Sequence, residues 1–230
     1  MKRLNNRLGI RLLVYLLGLF IMTIGIAISV KSDLGVSPIS SVPYTLTCVW
    51  GIEMGKATIL FHTVLVLLQL LMLRKKFPVK NFLQIVVGIV FGYFTTFCNS
   101  LMEYVPSTEN LVIRVLLSLV SAFLVAFGVF LYMPAGIMPL AGEGTAQALS
   151  QLTHIEFSKC KIIFDSTMVV ISLITCLIAI HSMGSVGAGT IISAVLVGTI
   201  VGWLNKGLGK WRDRILYGDP QQKKDMSPED

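Results

Sequence analysis

Few side chains in this sequence could do chemistry, and Glu143 stands out among them. It is the only acid from Ile137 to Ile155 and lies between Gly142 and Gly144. A carboxylate in an apolar setting needs a cation, a proton or hydrogen-bond donors, and flanking glycines let another backbone or a ligand come close. Glu143 is therefore the leading candidate for binding a substrate or ion, unless its segment lies on the surface and leaves it solvated. Asp165 follows Lys161 by four residues, the spacing of one helix face, and reads first as a structural ion pair. His62 and Asp33 are further candidates, as are Ser37 and Pro38 in the phrase Gly35-Val36-Ser37-Pro38. There is no HExxH, no GxSxG and no Cys/His ligand spacing, so an enzyme, a metal centre and a cofactor are not expected. Cys48, Cys98, Cys160 and Cys176 are scattered and read as small core hydrophobes.

These residues are embedded in a very apolar chain. Of 230 residues 54% are hydrophobic and 13% charged, about half the charge of a soluble domain, and the mean hydropathy is +0.79. Apolar blocks recur at roughly 9–30, 57–74, 81–102, 111–133, 162–182 and 188–205, each near the length of about 20 residues that spans a bilayer. The first block is longer than a signal-peptide core and reads as a retained helix. Two segments, 36–52 and 134–155, are apolar but interrupted by Pro38 and Pro43, and by Gly136, Pro139, Gly142 and Gly144.

Basic residues choose between topologies, because they gather on the cytoplasmic side. Six spans with both termini inside put sixteen of the nineteen Lys and Arg on that side, leaving only Lys31, Lys56 and Arg114 outside. If both interrupted segments crossed, the cluster Arg74, Lys75, Lys76 and Lys80 would fall outside. The segments are thus expected to dip in and return or to lie along the surface. The expected domains are one transmembrane unit over 1–205 and a basic, polar cytoplasmic tail over 206–230. Trp203, Trp211 and Tyr217 among Lys and Arg suggest an anchor on anionic lipid. The net charge of +7 is an orientation signal, not a mark of nucleic-acid binding.

The halves also resemble one another. At an offset of 103, Gly25 meets Gly128, Lys56 meets Lys159, Ile59 meets Ile162, Phe61 meets Phe164 and Val66 meets Val169. The same register pairs His62 with Asp165. Val87–Gly92 and Val197–Gly202 share a GxxxG pattern, common where membrane helices pack closely. Gly88 and Gly92 are expected to face Gly198 and Gly202 or another helix backbone. The expected fold is all-α: six transmembrane helices as two three-helix repeats, about 9–102 and 111–205, each with a broken, re-entrant Gly/Pro segment. An odd number of spans per repeat inverts the second copy, and paired interrupted segments in such halves point to a transport site. Gln84, Asn99 and Asn205 are expected to make hydrogen bonds between helices.

Lys31–Pro38, Met138-Pro139-Leu140-Ala141-Gly142-Glu143-Gly144, and Lys159-Cys160-Lys161 with Asp165 resemble the YczE/YyaS/YitT-like family of bacterial integral membrane proteins, over roughly 10–205. The chain departs from that pattern at Ile39 and Ser40. The resemblance implies a multi-pass protein of the bacterial cytoplasmic membrane. The leading expectation is a small transporter or channel for a polar solute, proton- or cation-coupled. The alternatives are a substrate-binding subunit energised by a separate ATPase, or a non-transporting membrane scaffold. Expected partners are the lipid bilayer and a small molecule or ion, with a homo-oligomer or a partner membrane protein left open.

Overall fold

The computed structural model describes residues 7–218. Among them the regular structure is entirely helical, in eight α-helices joined by short turns. They are α1 (Leu8–Ser32), α2 (Pro38–Trp50), α3 (Met54–Leu73), α4 (Leu83–Glu103), α5 (Leu111–Tyr132), α6 (Ala141–Thr153), α7 (Phe157–Ile180) and α8 (Ala188–Tyr217). Six of them are long and apolar enough to cross a membrane. The other two, α2 and α6, have 13 residues each and reach about 20 Å, short of a hydrocarbon core of about 30 Å.

The two interrupted segments are thus more regular than their sequences suggest. Each is a short non-helical link followed by a helix, and the prolines help to start rather than break it. Pro38 occupies the first turn of α2, where a missing N–H costs nothing. Pro43 lies inside α2 and is buried.

Helices α1 and α5 form the spine. Arg11, near the start of α1, donates to the Ala135 carbonyl beyond the end of α5 at 2.8 and 2.9 Å. Arg114, near the start of α5, donates from Nε to the Ser32 carbonyl at the end of α1 at 2.8 Å. Its guanidinium also reaches the Asp33 carbonyl and the Asp33 carboxylate, the latter at 2.8 Å. Each arginine satisfies helix-end carbonyls that lack intrahelical partners, and the two helices run antiparallel. Small residues bring them close. A Cβ on Gly25 would stand 2.9 Å from the Val125 backbone nitrogen and 3.0 Å from the Ser121 carbonyl. A Cβ on Gly128 would stand 2.6 Å from the Gly18 carbonyl and 2.8 Å from the Met22 nitrogen.

Around this spine α4 packs on α1 and α8 on α5, α2 packs on α3 and α7, and α6 packs on α3 and α7. Helix α3 also lies closely against α4. The glycine expectation holds for α4, through its second alternative, and not for α8. Gly88 abuts His62, and Gly92 abuts Gly55 and Ile59, so the partner of the α4 glycines is α3. Among the described residues, nothing comes within 4 Å of a Cβ added at Gly198 or Gly202; their helix presents that face away from the other described helices.

The tail boundary also moves. Helix α8 continues without a break to Tyr217, and residues 206–217 belong to the fold. Arg212 is buried, with its guanidinium 4.5 Å from the centre of the Phe130 ring and donating to Asn205 Oδ1 at 2.6 Å. The Tyr217 hydroxyl donates to the Pro134 carbonyl at 2.5 Å. Trp203 and Trp211 remain exposed, as an anchor at the lipid boundary requires. The end of the expected tail, 219–230, lies outside the described residues.

Candidate functional site

The candidate site grows from the first turn of α6. Leu140 precedes the helix in extended conformation and supplies no side-chain cap, so the opening N–H groups are left for another acceptor. Glu143 is the acid of that turn, placed where the helix dipole favours a carboxylate. Its side chain is buried, at 8% exposure. The solvated alternative is therefore excluded for this segment within the protein. The hydroxyl of Tyr132, also buried, lies beside it without an aligned hydrogen-bond partner.

Glu143 opens onto a cavity of about 20 Å³ enclosed by α1, α2, α3, α4 and the start of α6. That volume holds about one water-sized particle. The other polar walls are Ser40, Thr58 and His62, while Met22, Met54 and Phe91 supply apolar surface. Among the described residues, no Lys or Arg lines it. His62 is 4% exposed, and its Nδ1 has no hydrogen-bond partner. The ring is held in place by stacking on Phe91, with centroids 5.6 Å apart and planes 13° from parallel. It fits because Gly88 faces it: a Cβ there would stand 2.8 Å from His62 Cβ and 3.1 Å from Nδ1.

A second buried polar group holds α6 at this depth. Gln69 Nε2 donates to Gln84 Oε1 at 2.9 Å, to the Ala141 carbonyl at 3.1 Å and to Thr145 Oγ1 at 3.3 Å. Both glutamines are buried, and Gly144 leaves them room, since a Cβ there would lie 2.6 Å from Gln84 Nε2. Gly142 does the same for α2, where a Cβ would meet Ile39 Cδ1 at 2.6 Å. The two glycines beside Glu143 thus seat α6 against three neighbouring helices. Gln84 is the interhelical partner its sequence context predicts; Asn99 instead donates to Thr95 of its own helix at 2.9 Å.

The remaining candidates lie elsewhere or act indirectly. Lys161 and Asp165 pair at 2.6 and 2.7 Å, the structural reading of their spacing. They do not line the cavity, although both act on Glu143 electrostatically, with opposite sign. Asp33, with its side chain 78% exposed, pairs with Arg114 at the end of α1 and is remote from the cavity wall. Ser37 donates to Ser40 at 3.0 Å and so touches the site through a neighbour. Pro38 starts α2 and sets its direction. Ser40, Thr58, Gln69 and Tyr132 were not singled out in the sequence. An offset of 103 from Glu143 leads to Ser40, whereas matching the phrase Gly35–Pro38 with Gly136–Pro139 is an offset of 101 and leads to Val42.

Comparisons with known proteins fit this architecture. The model of a family of unknown function, DUF6198, matches residues 9–206. The chain belongs to this family. It is also similar to the uncharacterized protein YyaS of Bacillus subtilis (strain 168), 25% identical over 198 residues that cover 81% of this chain and 88% of that one. This agrees with the resemblance carried by the Gly/Pro phrases and the Met138–Gly144 motif. No solved structure matches the chain.

Proposed function

We propose that the protein moves a small polar solute across the bacterial cytoplasmic membrane, coupled to protons or another cation. It is read as two inverted three-helix repeats, each carrying one short re-entrant helix. The observation that carries this reading is the cavity: Ser40 on α2 and Glu143 on α6, 103 positions apart, line the same enclosed space. Non-helical backbone and an acid are tolerated at membrane depth where they are buried in protein or face a cavity. Short helices entering from opposite faces bring their free ends together there.

The spine supports the inversion. Arg11 contacts Ala135, and Arg114 contacts Ser32; adding 103 to Arg11 leads to Arg114, and subtracting 103 from Ala135 leads to Ser32. Gly25 against Ser121 and Val125 is related in the same way to Gly128 against Gly18 and Met22. Such reciprocal contacts are what a twofold relation would produce, and the antiparallel course of α1 and α5 is what an inverted pair requires. The basic-residue distribution supports a cytoplasmic location for both termini.

The test begins with the purified chain in detergent, screened for thermal stabilisation by monovalent cations, small amines, amino acids and short carboxylates. Each solute that stabilises is then measured for flux into vesicles containing this chain alone. Glu143→Gln is expected to keep the ligand-free melting temperature while losing stabilisation and flux. Undiminished flux in the Gln variant would remove Glu143 from the pathway. Flux only with an added ATPase would make the chain a binding subunit of a larger system.

A further inference from the structure

Resting on the reading of the Glu143 cavity as a solute site, we propose that its ligand is a small hydrogen-bonding monocation: ammonium, or a primary ammonium of about two heavy atoms. The charge follows from the lining. Glu143 is its one ionisable acid, and no basic side chain is present to receive an anion. The size follows from the volume of about 20 Å³, near the space of one water.

The donor–acceptor pattern separates ammonium from a bare metal ion. Thr58 spends its proton on the Met54 carbonyl at 2.8 Å, so its lone pairs remain for an N–H donor. Ser40 already accepts from Ser37 at 3.0 Å, leaving its own hydrogen and a lone pair. His62 brings a buried ring whose Nδ1 is unpartnered. One carboxylate, two hydroxyls and an imidazole suit a tetrahedral cation that donates hydrogen bonds. Calcium takes six to eight oxygen ligands and magnesium a full octahedron, which two hydroxyls and one carboxylate do not supply.

The experiment compares chloride salts of ammonium, methylammonium, tetramethylammonium, sodium and potassium at equal ionic strength, reading the melting temperature of the full chain in detergent. Ammonium and methylammonium are expected to stabilise it in a saturable manner, and the other three are not. Glu143→Gln should abolish the response, and Thr58→Val should weaken the apparent affinity at least tenfold, both with the ligand-free melting temperature retained. Should Thr58→Val fail to fold, Ser40→Ala serves as the second variant. Equal responses to all five salts, or an ammonium response that survives Glu143→Gln, would overturn the proposal. Stabilisation by silver ion in place of ammonium, lost in Met54→Leu and kept in Glu143→Gln, would reassign the cavity to a soft metal ion. If a non-cationic solute requires Glu143 for flux, transport through the cavity stands and the ammonium assignment fails.

Discussion

Alanine at Gly92 and at Gly202 should have opposite effects, although the two glycines occupy equivalent places in the two GxxxG phrases. At Gly92 the new Cβ would lie 2.3 Å from Ile59 Cγ1 and 2.8 Å from the Gly55 carbonyl oxygen. Ile59 is β-branched and stiff at χ1 in a helix, and the carbonyl is backbone, so α3 and α4 must part by about half an ångström or more to reach ordinary contact. Overpacking of this kind costs about 1–3 kcal/mol, and replacing glycine within a helix returns about 1 kcal/mol. The net destabilisation is about 0–2 kcal/mol. At Gly202 nothing lies within 4 Å, and only the favourable helix term of up to about 1 kcal/mol remains. A difference of about 1–3 kcal/mol between the variants corresponds to several degrees in melting temperature for a chain of this length. Cys98, Cys160 and Cys176 are buried and free, so a thiol-reactive fluorophore reports unfolding directly. Leucine at the two sites should widen the gap. Equal losses at Gly92 and Gly202, or a loss confined to Gly202, would refute the packing assigned to α4 and α8.

Arg114→Lys should destabilise the protein nearly as much as Arg114→Ala, by about 1.5–3 kcal/mol, because a lysine cannot bridge the Ser32 and Asp33 carbonyls with one planar fork. Asp33→Asn should cost less than about 1 kcal/mol, since its carboxylate is mostly exposed; thermal unfolding of the three variants checks the order. Single cysteines replacing Lys76 and Lys56 should react with membrane-impermeant reagents from opposite sides of right-side-out vesicles, Lys56 from outside. Labelling of Lys76 from outside would overturn the orientation.

The six long helices were legible because crossing a bilayer imposes a length and an apolar composition that a single segment displays by itself. The predicted block 188–205 ended too early for the same reason. Helix α8 runs on to Tyr217 through Lys206, Lys210 and Arg212, whose charges look like solvent until Phe130 and Asn205 are seen to receive Arg212. Its neighbour Asp213 also pairs with it, at 2.7 Å, but an adjacent acid does not announce burial; the Phe130 ring on α5 that covers the guanidinium leaves no local trace. The same limit governs the glycines: GxxxG declares that some backbone comes close, but His62 and Gly55, which fill the space beside Gly88 and Gly92, lie on a different helix with no pattern pointing back.

The site itself was legible in part. Glu143 could be read from its isolation between two glycines, and His62 from being a polar ring within an apolar run, but their common cavity depends on α3 and α6 meeting. Asp33 and Asp165 shared the symmetry argument and yet sit in surface or peripheral ion pairs, because a repeat matches backbone positions while each half keeps its own side chains. The offset of 103 also pairs Arg11 with Arg114 and Ser40 with Glu143; each arginine finds its partner in the other half of the chain. Identical types at matched positions, such as the two arginines, serve the helix ends that both halves need. The other matched pair, Ser40 and Glu143, lines a common cavity to which only the glutamate brings a charge. His62 and Asp165 share the same offset, yet only His62 reaches that cavity, so a matched position draws attention to a pair while the packing of α2, α3 and α6 decides which of its members meet.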